Sequence, residues 1–255
     1  MLAANVRQAR LLVAAESPWP VWLIGTTVPQ LFRSTVYVFL GELAAGPSGA
    51  AFALAGTIVL AVTLETISSV SDIPVVDAYF GTYGSVTRSR VPVIAQYASR
   101  TLPLAGRAAL ESLAVLLVVG SVTGQLSALP RLLAAWWMVP LAIVSSTAFG
   151  LVAIAPAIGT TSQDLWHNTA VVALTLSSGA IIALDTIPVA GVIGAFLPLQ
   201  HAVHAYRTAA AGGGILWMEL GLEALIAVGW ALAAVIVYTL IDHRGRSRGS
   251  TVMAG

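Results

Sequence analysis

Lysine and cysteine are both absent from the 255 residues of this chain, and charge of either sign is scarce. Each absence removes a class of chemistry. Without Cys there is neither a disulfide framework nor a thiolate metal site. Without Lys there is no phosphate-binding loop of the G-x-x-x-x-G-K-[ST] kind, whose ammonium group neutralises the β- and γ-phosphates. Any work driven by ATP must then be powered from another chain. Charged residues make up 9% of the sequence, against about 25% in soluble domains, which excludes a water-soluble globular fold. The net charge of +1 says nothing about nucleic acid, which is not expected as a partner; what matters is how the charge is distributed.

What is abundant is apolar: hydrophobic residues fill 58% of the chain, and the mean hydropathy is +0.89. A hydrocarbon core of about 30 Å takes roughly 20 apolar helical residues to cross. Six stretches qualify, at 19–41, 50–70, 102–122, 132–154, 166–184 and 216–240. They predict an all-α membrane protein of six transmembrane helices, folded as a single domain over 1–255. All twelve basic residues are Arg, and their placement predicts an orientation. Arg7, Arg10, Arg88, Arg90, Arg100, Arg107, Arg244, Arg246 and Arg248 fall on one side, Arg131 and Arg207 on the other, and Arg33 lies inside the first span. That imbalance places both termini in the cytoplasm.

Outside the spans, four segments stand out. Leu2, Val6, Ala9, Leu12 and Val13 share one helical face, so 1–17 reads as a helix lying in the headgroup layer. Arg7, Gln8 and Arg10 interrupt it too often for a cleaved signal. The polar stretch 71–101 reads as a cytoplasmic connection with a short amphipathic helix around Val91, Ile94 and Tyr97. Residues 186–214 hold two short apolar helices broken at Pro198, the pattern of a re-entrant external pair packed against protein. The Arg/Ser/Gly run 244–255 reads as a disordered cytoplasmic tail.

A charge at mid-bilayer costs about 2.5–3.5 kcal/mol on insertion scales, so each one needs a partner or a purpose. Glu65 falls in the cytoplasmic half of span two, and Arg107 and Glu111 are one turn apart on span three, which predicts a buried Arg–carboxylate cluster. Arg33 is expected in the outer half of span one. Pairing Arg33 or Arg207 with Glu42, Asp185, Glu219 or Glu223 would satisfy the outer charges. His201 and His204 lie three apart, but two His without carboxylate or Cys nearby make a poor metal site, so none is expected. Ser145, Ser146, Ser177, Ser178 and Gly179 read as small residues that let helices approach closely.

Phe196-Leu197-Pro198-Leu199-Gln200-His201-Ala202-Val203-His204-Ala205-Tyr206-Arg207 resembles the signature of type-2 ABC-transporter permeases, a Pro-Leu-Thr-x-x-x-x-Ala-x-Arg-like stretch before the sixth helix, with Gln200 in place of Thr. Asp77-Ala78-Tyr79-Phe80-Gly81-Thr82-Tyr83 is similar to that family's Glu-x-x-x-Gly-Thr-Leu-like motif after the second helix, with Asp for Glu and Tyr for Leu. The resemblance implies the membrane subunit of an ABC exporter in the plasma membrane. Such a subunit pairs with a second permease copy, identical or similar, and docks on separate ATPase subunits that bind ATP and Mg. It further implies that Asp77, Gly81, Thr82, Tyr83, Arg88 and Arg90 couple to the ATPase, and that Pro198, Leu199, His201 and Arg207 belong to an external gate.

An apolar lining and short external loops would suit a hydrophobic or amphipathic cargo. An intramembrane enzyme acting on lipid or peptide would need convergent polar residues at one depth, and neither a Ser–His pairing nor an Asp-rich metal motif is present in the sequence. An ion-driven secondary transporter would commonly show inverted repeats with helices broken at the midplane, and no such symmetry is visible.

Overall fold

The computed structural model describes residues 18–89, 91–158 and 162–247. The expected interfacial helix at 1–17, Arg90 and the tail beyond Ser247 lie outside them. Among the described residues the regular elements are all helices.

Helix α1 (Trp19–Trp22) runs through a π-turn at Leu23–Thr27 into α2 (Val28–Tyr79). α2 is not one rod. Ala45 and Gly46 leave helical geometry, Gly46 at φ 65° and ψ −154°, a conformation that glycine adopts without a Cβ penalty. Residues 41 and 49 would stand about 12 Å apart along a straight helix. Instead, a methyl group built on either glycine would collide with the other's carbonyl. The chain therefore doubles back inside the short connection expected there, and α2 is a hairpin of two arms, 28–44 and 47–79.

The remaining elements follow in order. They are α3 (Tyr83–Thr87), α4 (Val93–Ala114) continued by a π-turn at Val115–Val119 and α5 (Gly120–Val122), then α6 (Leu129–Ala135) and α7 (Val139–Ile154). After these come α8 (Gln163–Ser177), α9 (Pro188–Gly194), α10 (Gln200–Ala210) and α11 (Trp217–Ser247). Among the described residues, four helical runs are long and apolar enough to cross a bilayer: Trp19–Asp77, Val93–Val122, Leu129–Ala157 and Trp217–His243. The first of these is the run that folds back on itself.

Two expectations need correction. The polar connection is not 71–101: α2 stays helical to Tyr79 and α4 begins at Val93, so only 80–92 joins them. Ile73, Val70 and Tyr97 are buried at that end, so packing carries both helices past the point where the sequence turns polar. The amphipathic segment at Ile94 and Tyr97 is the first turns of α4. The fifth span is not helical to Leu184, because α8 stops at Ser177 after 15 residues, about 22 Å by its rise. The start of the tail also differs, since α11 stays helical through Ser247.

The second arm of α2 is the centre of the core. Leu54, Ile58, Val62 and Ile67 along it are fully buried among Leu116, Met138, Ile154, Leu174 and Val203 from the surrounding helices. Small hydroxyls fasten the close contacts. Ser112 Oγ on α4 donates to the Ile58 carbonyl at 3.0 Å, and Ser146 Oγ on α7 meets Thr63 Oγ1 at 3.1 Å. Both bonds cross between helices where lipid provides no competing partner.

The hairpin makes a direct prediction. Gly49→Ala should force the two arms apart at the cost of an overpacked contact, about 1–3 kcal/mol. Thermal unfolding in detergent should show a lowered midpoint, and an unchanged midpoint would rule out the tight crossing.

Candidate functional site

Three clusters of polar side chains lie in this apolar bundle. The first surrounds the broken helices. α8 ends in a glycine cap: Ser178 keeps helical dihedrals, Gly179 swings to φ 69°, and the Ala180 amide donates to Ser178 Oγ at 3.1 Å. These small residues terminate the helix rather than merely allowing packing. A helix end leaves carbonyls without partners and carries partial negative charge. Arg207 on α10 places its positive charge just past that end. Its Nη1 and Nη2 donate to the Gly179 and Ala180 carbonyls at 2.6 and 2.5 Å, and its Nε to the Phe52 carbonyl at 3.1 Å. The guanidinium carbon lies 3.4 Å from the centre of the Phe52 ring. Gly56 makes room for this, since a Cβ there would strike both the Ala180 carbonyl and the Arg207 guanidinium.

The other end of α10 is held by an anion. Leu199, fully buried after Pro198, sits at φ 94°, a region that side chains with a Cβ rarely occupy. The Glu223 carboxylate of α11, itself fully buried, holds this turn. It accepts from the Leu199 amide at 3.0 Å, from the Ala202 amide at 3.2 Å and from Ser145 Oγ of α7 at 2.5 Å. An acid at a helix N-terminus suits both the free amides and the dipole. One turn earlier on α11, Glu219 takes His201 Nδ1 at 2.6 Å and His204 Nδ1 at 3.1 Å. The pairing expected of the outer charges is thus overturned: Arg207 and Glu223 bind main-chain groups, not each other. The two histidines do have a carboxylate beside them, and no group of three metal-ligating side chains is spaced for an ion among the described residues.

The second cluster lies at the opposite end of the second arm. Phe52 and Asp77 are 25 residues apart on it, about 38 Å by the helix rise. Asp77 is buried, takes Arg100 Nη1 at 2.5 Å and accepts from Thr82 Oγ1 at 3.0 Å. Gly81 makes the turn between them at φ 70°. Gln96 then ties the connection to α4 through the Val86 and Val91 carbonyls, at 3.0 and 2.9 Å. Arg88 folds back on the Gly84 carbonyl at 2.9 Å. Buried Asp77, exposed Thr82 and half-buried Tyr83 are brought together as a bracket, whereas Tyr79 and Phe80, at 85% and 66% exposure, project from it. Those two aromatics went unnoticed in the motif, although two large apolar side chains beside a turn glycine were the available signal. Burial pushes the Tyr83 phenol up to about 12, with the Asp242 and Asp77 carboxylates adding to the effect.

The third cluster joins the first arm, the second arm and α4. The Glu65 and Glu111 carboxyls are hydrogen-bonded to each other, Ser69 Oγ donates to Glu65 at 3.2 Å, and Arg33 is near enough to act on Glu111. Arg107 acts on Glu65 and lies 5.8 Å from the Trp22 ring. The expected cluster of Glu65, Arg107 and Glu111 is therefore present, and Arg33 joins it instead of the outer acids.

Apolar helices of spanning length, with charged side chains closing over the two places where neighbouring helices break off, define a polytopic membrane protein. A family model, ABC-2 type transporter, matches residues 10–210, so the chain belongs to that family. No curated protein and no solved structure matches it. Members of the family are the membrane permeases of ABC transporters, with the ATPase on a separate protein. The match takes in the bracket at Asp77 and the helix pair around Pro198.

Two predictions follow from this geometry. Glu223→Gln keeps one acceptor but turns an NH2 group toward the Leu199 and Ala202 amides, so the folded protein should lose about 2–3 kcal/mol. Its melting point in detergent should fall, and equality with the parent would mean that the turn is held by something else. For Tyr83 the folded pKa lies above the ordinary value of 10.0. Its stabilising effect is therefore complete below pH 10 and fades as pH rises toward 12. Tyr83→Phe should flatten that alkaline loss in a pH series of unfolding midpoints, and a parallel curve would contradict the assignment.

Proposed function

We propose that this chain is the permease subunit of an ABC exporter for hydrophobic or amphipathic cargo. Two such subunits form the pathway, and two separate ATPase subunits hold the ATP and Mg. The chain performs no chemistry on its cargo. Its work is alternating exposure of a route between two faces of the membrane. With both termini on the cytoplasmic side of a cell membrane and six crossings in all, the Asp77 bracket faces the ATPase and the helices around Pro198 face outward.

The observation that carries this reading is that one rigid element joins the two clusters. The second arm of α2 receives Arg100 at Asp77 and Arg207 at Phe52, so displacement at either end reaches the other through a single continuous helix. The segment 77–90 then acts as the coupling element, and 186–214 as the gate. Arg100, Thr82 and Gly81 set the shape of the bracket, and the exposed Tyr79 and Phe80 supply apolar surface for a groove on the ATPase. Aromatic side chains are the residues that most often dominate such contacts.

The test is co-purification. The parent chain should retain an ABC ATPase encoded with it, and Tyr79→Ala with Phe80→Ala should lose that partner while the permease stays folded by circular dichroism and gel filtration. Full retention by the double variant would remove the coupling assignment. Cargo movement by the purified permease with no ATPase bound would remove the whole reading.

A further inference from the structure

We propose that Arg33 is a recognition point for an anionic group, a carboxylate or a phosphate, on an amphipathic cargo. The inference rests on the permease reading and adds to it the charge of what is carried.

Depth comes first. Arg33 is 11 residues from Trp22 and 12 from Ala45, about 16 Å and about 18 Å along the first arm, so it stands near mid-span. Its side chain is exposed at the surface of the subunit, among exposed Val28, Phe32, Val36 and Leu40. A guanidinium held against hydrocarbon at that depth costs about 2.5–3.5 kcal/mol even on the lenient scales. That face therefore meets water or protein.

Charge comes second. The Glu65 and Glu111 carboxyls lie close enough to act on each other. Arg107 already acts on Glu65. Of the two guanidinium groups beside this pair, Arg107 is half-buried and Arg33 is the exposed one.

Geometry comes third. Arg33 Nη2 donates to Gln30 Oε1, and buried Gln30 donates in turn to Ser34 Oγ at 3.1 Å. This fixes the planar group by one edge. The remaining N–H donors form the fork that matches a carboxylate or phosphate with two parallel bonds. Apolar side chains on either side would receive an acyl or alkyl tail.

The experiment uses the permease with its ATPase in phosphatidylcholine vesicles, probed with dodecyl phosphate and with uncharged dodecanol. The parent should be stimulated by dodecyl phosphate at lower concentration than by dodecanol. Arg33→Gln should raise the half-maximal concentration for dodecyl phosphate about 10-fold or more, the loss of a charge-assisted pair, and leave dodecanol unchanged. Arg33→Lys should fall between. Equal responses to the two probes in the parent, no response to either with ATPase bound, or an unshifted Arg33→Gln curve would each overturn the proposal. Because the chain has no Cys, Arg33→Cys carries a single thiol. In the assembled complex it should react with a negatively charged, impermeant methanethiosulfonate, and dodecyl phosphate should slow the reaction. An inert thiol would mean that this face is sealed against the second copy, and it decides the matter should Arg33→Gln not assemble. Failure of the permease to bind any ATPase would instead bring down the reading on which the inference rests.

Discussion

Inside a bilayer the main chain has no water to turn to, and every amide and carbonyl must find its partner within the protein. An unbroken helix meets that demand by itself. This chain breaks its helices at Ser178 and again at Leu199, and each break frees groups that hydrocarbon cannot satisfy. Arg207 answers the first with donors aimed at the carbonyls just past the helix end, and Glu223 answers the second with a carboxylate aimed at the amides of a helix start. The signs are those the helix dipoles require. Two of the few charges in the chain are thus used to make irregular backbone tolerable at one end of the bundle.

That use explains how much could be read beforehand. The apolar runs, the short hairpin connection and the interruption at Pro198 were all legible, since each is a local property of composition and length. The partners of Arg207 and Glu223 were not. Spacing along a helix identifies side chains that share a face, but it is blind to carbonyls exposed by a break elsewhere in the chain. Glu219 and Glu223 look equivalent as a pair four residues apart. In the fold one takes two histidines near the surface and the other is sealed beneath Leu199. The same blindness hid the carboxylate beside His201 and His204, which lies across the turn on α11. The overlong polar connection has a different origin. Polarity marks where a helix leaves lipid, not where it ends, and α2 and α4 run on past the boundary because Val70 and Ile73 of α2 pack with Tyr97 and Tyr238, whose rings meet edge to face with centroids 5.4 Å apart.

The second arm of α2 gives the fold its directionality. It is buried along its length, bracketed by ionic contacts at both ends and crossed by hydroxyl bonds between, so it has little freedom to bend independently of its neighbours. Pro74 lies close to the Asp77 end and is the one interruption in its ladder after the reversal region. A helix built in this way transmits a push better than it absorbs one. The strained Leu199 turn and its tether sit where such a push would arrive.

The reversal at Ala45–Gly46 also bears on how the protein enters its membrane. The first arm carries the Arg33 guanidinium, but the groups that offset it, Glu65 and Glu111, are synthesised later, on the returning arm and on α4. Partitioned alone, the leading arm would bear an uncompensated charge at mid-depth. Delivered as a folded pair, it reaches the lipid with part of its compensation attached. The hairpin is accordingly the smaller unit in which that charge travels with one of its neighbouring carboxyls, its two arms held at close approach by the glycine crossing at positions 41 and 49.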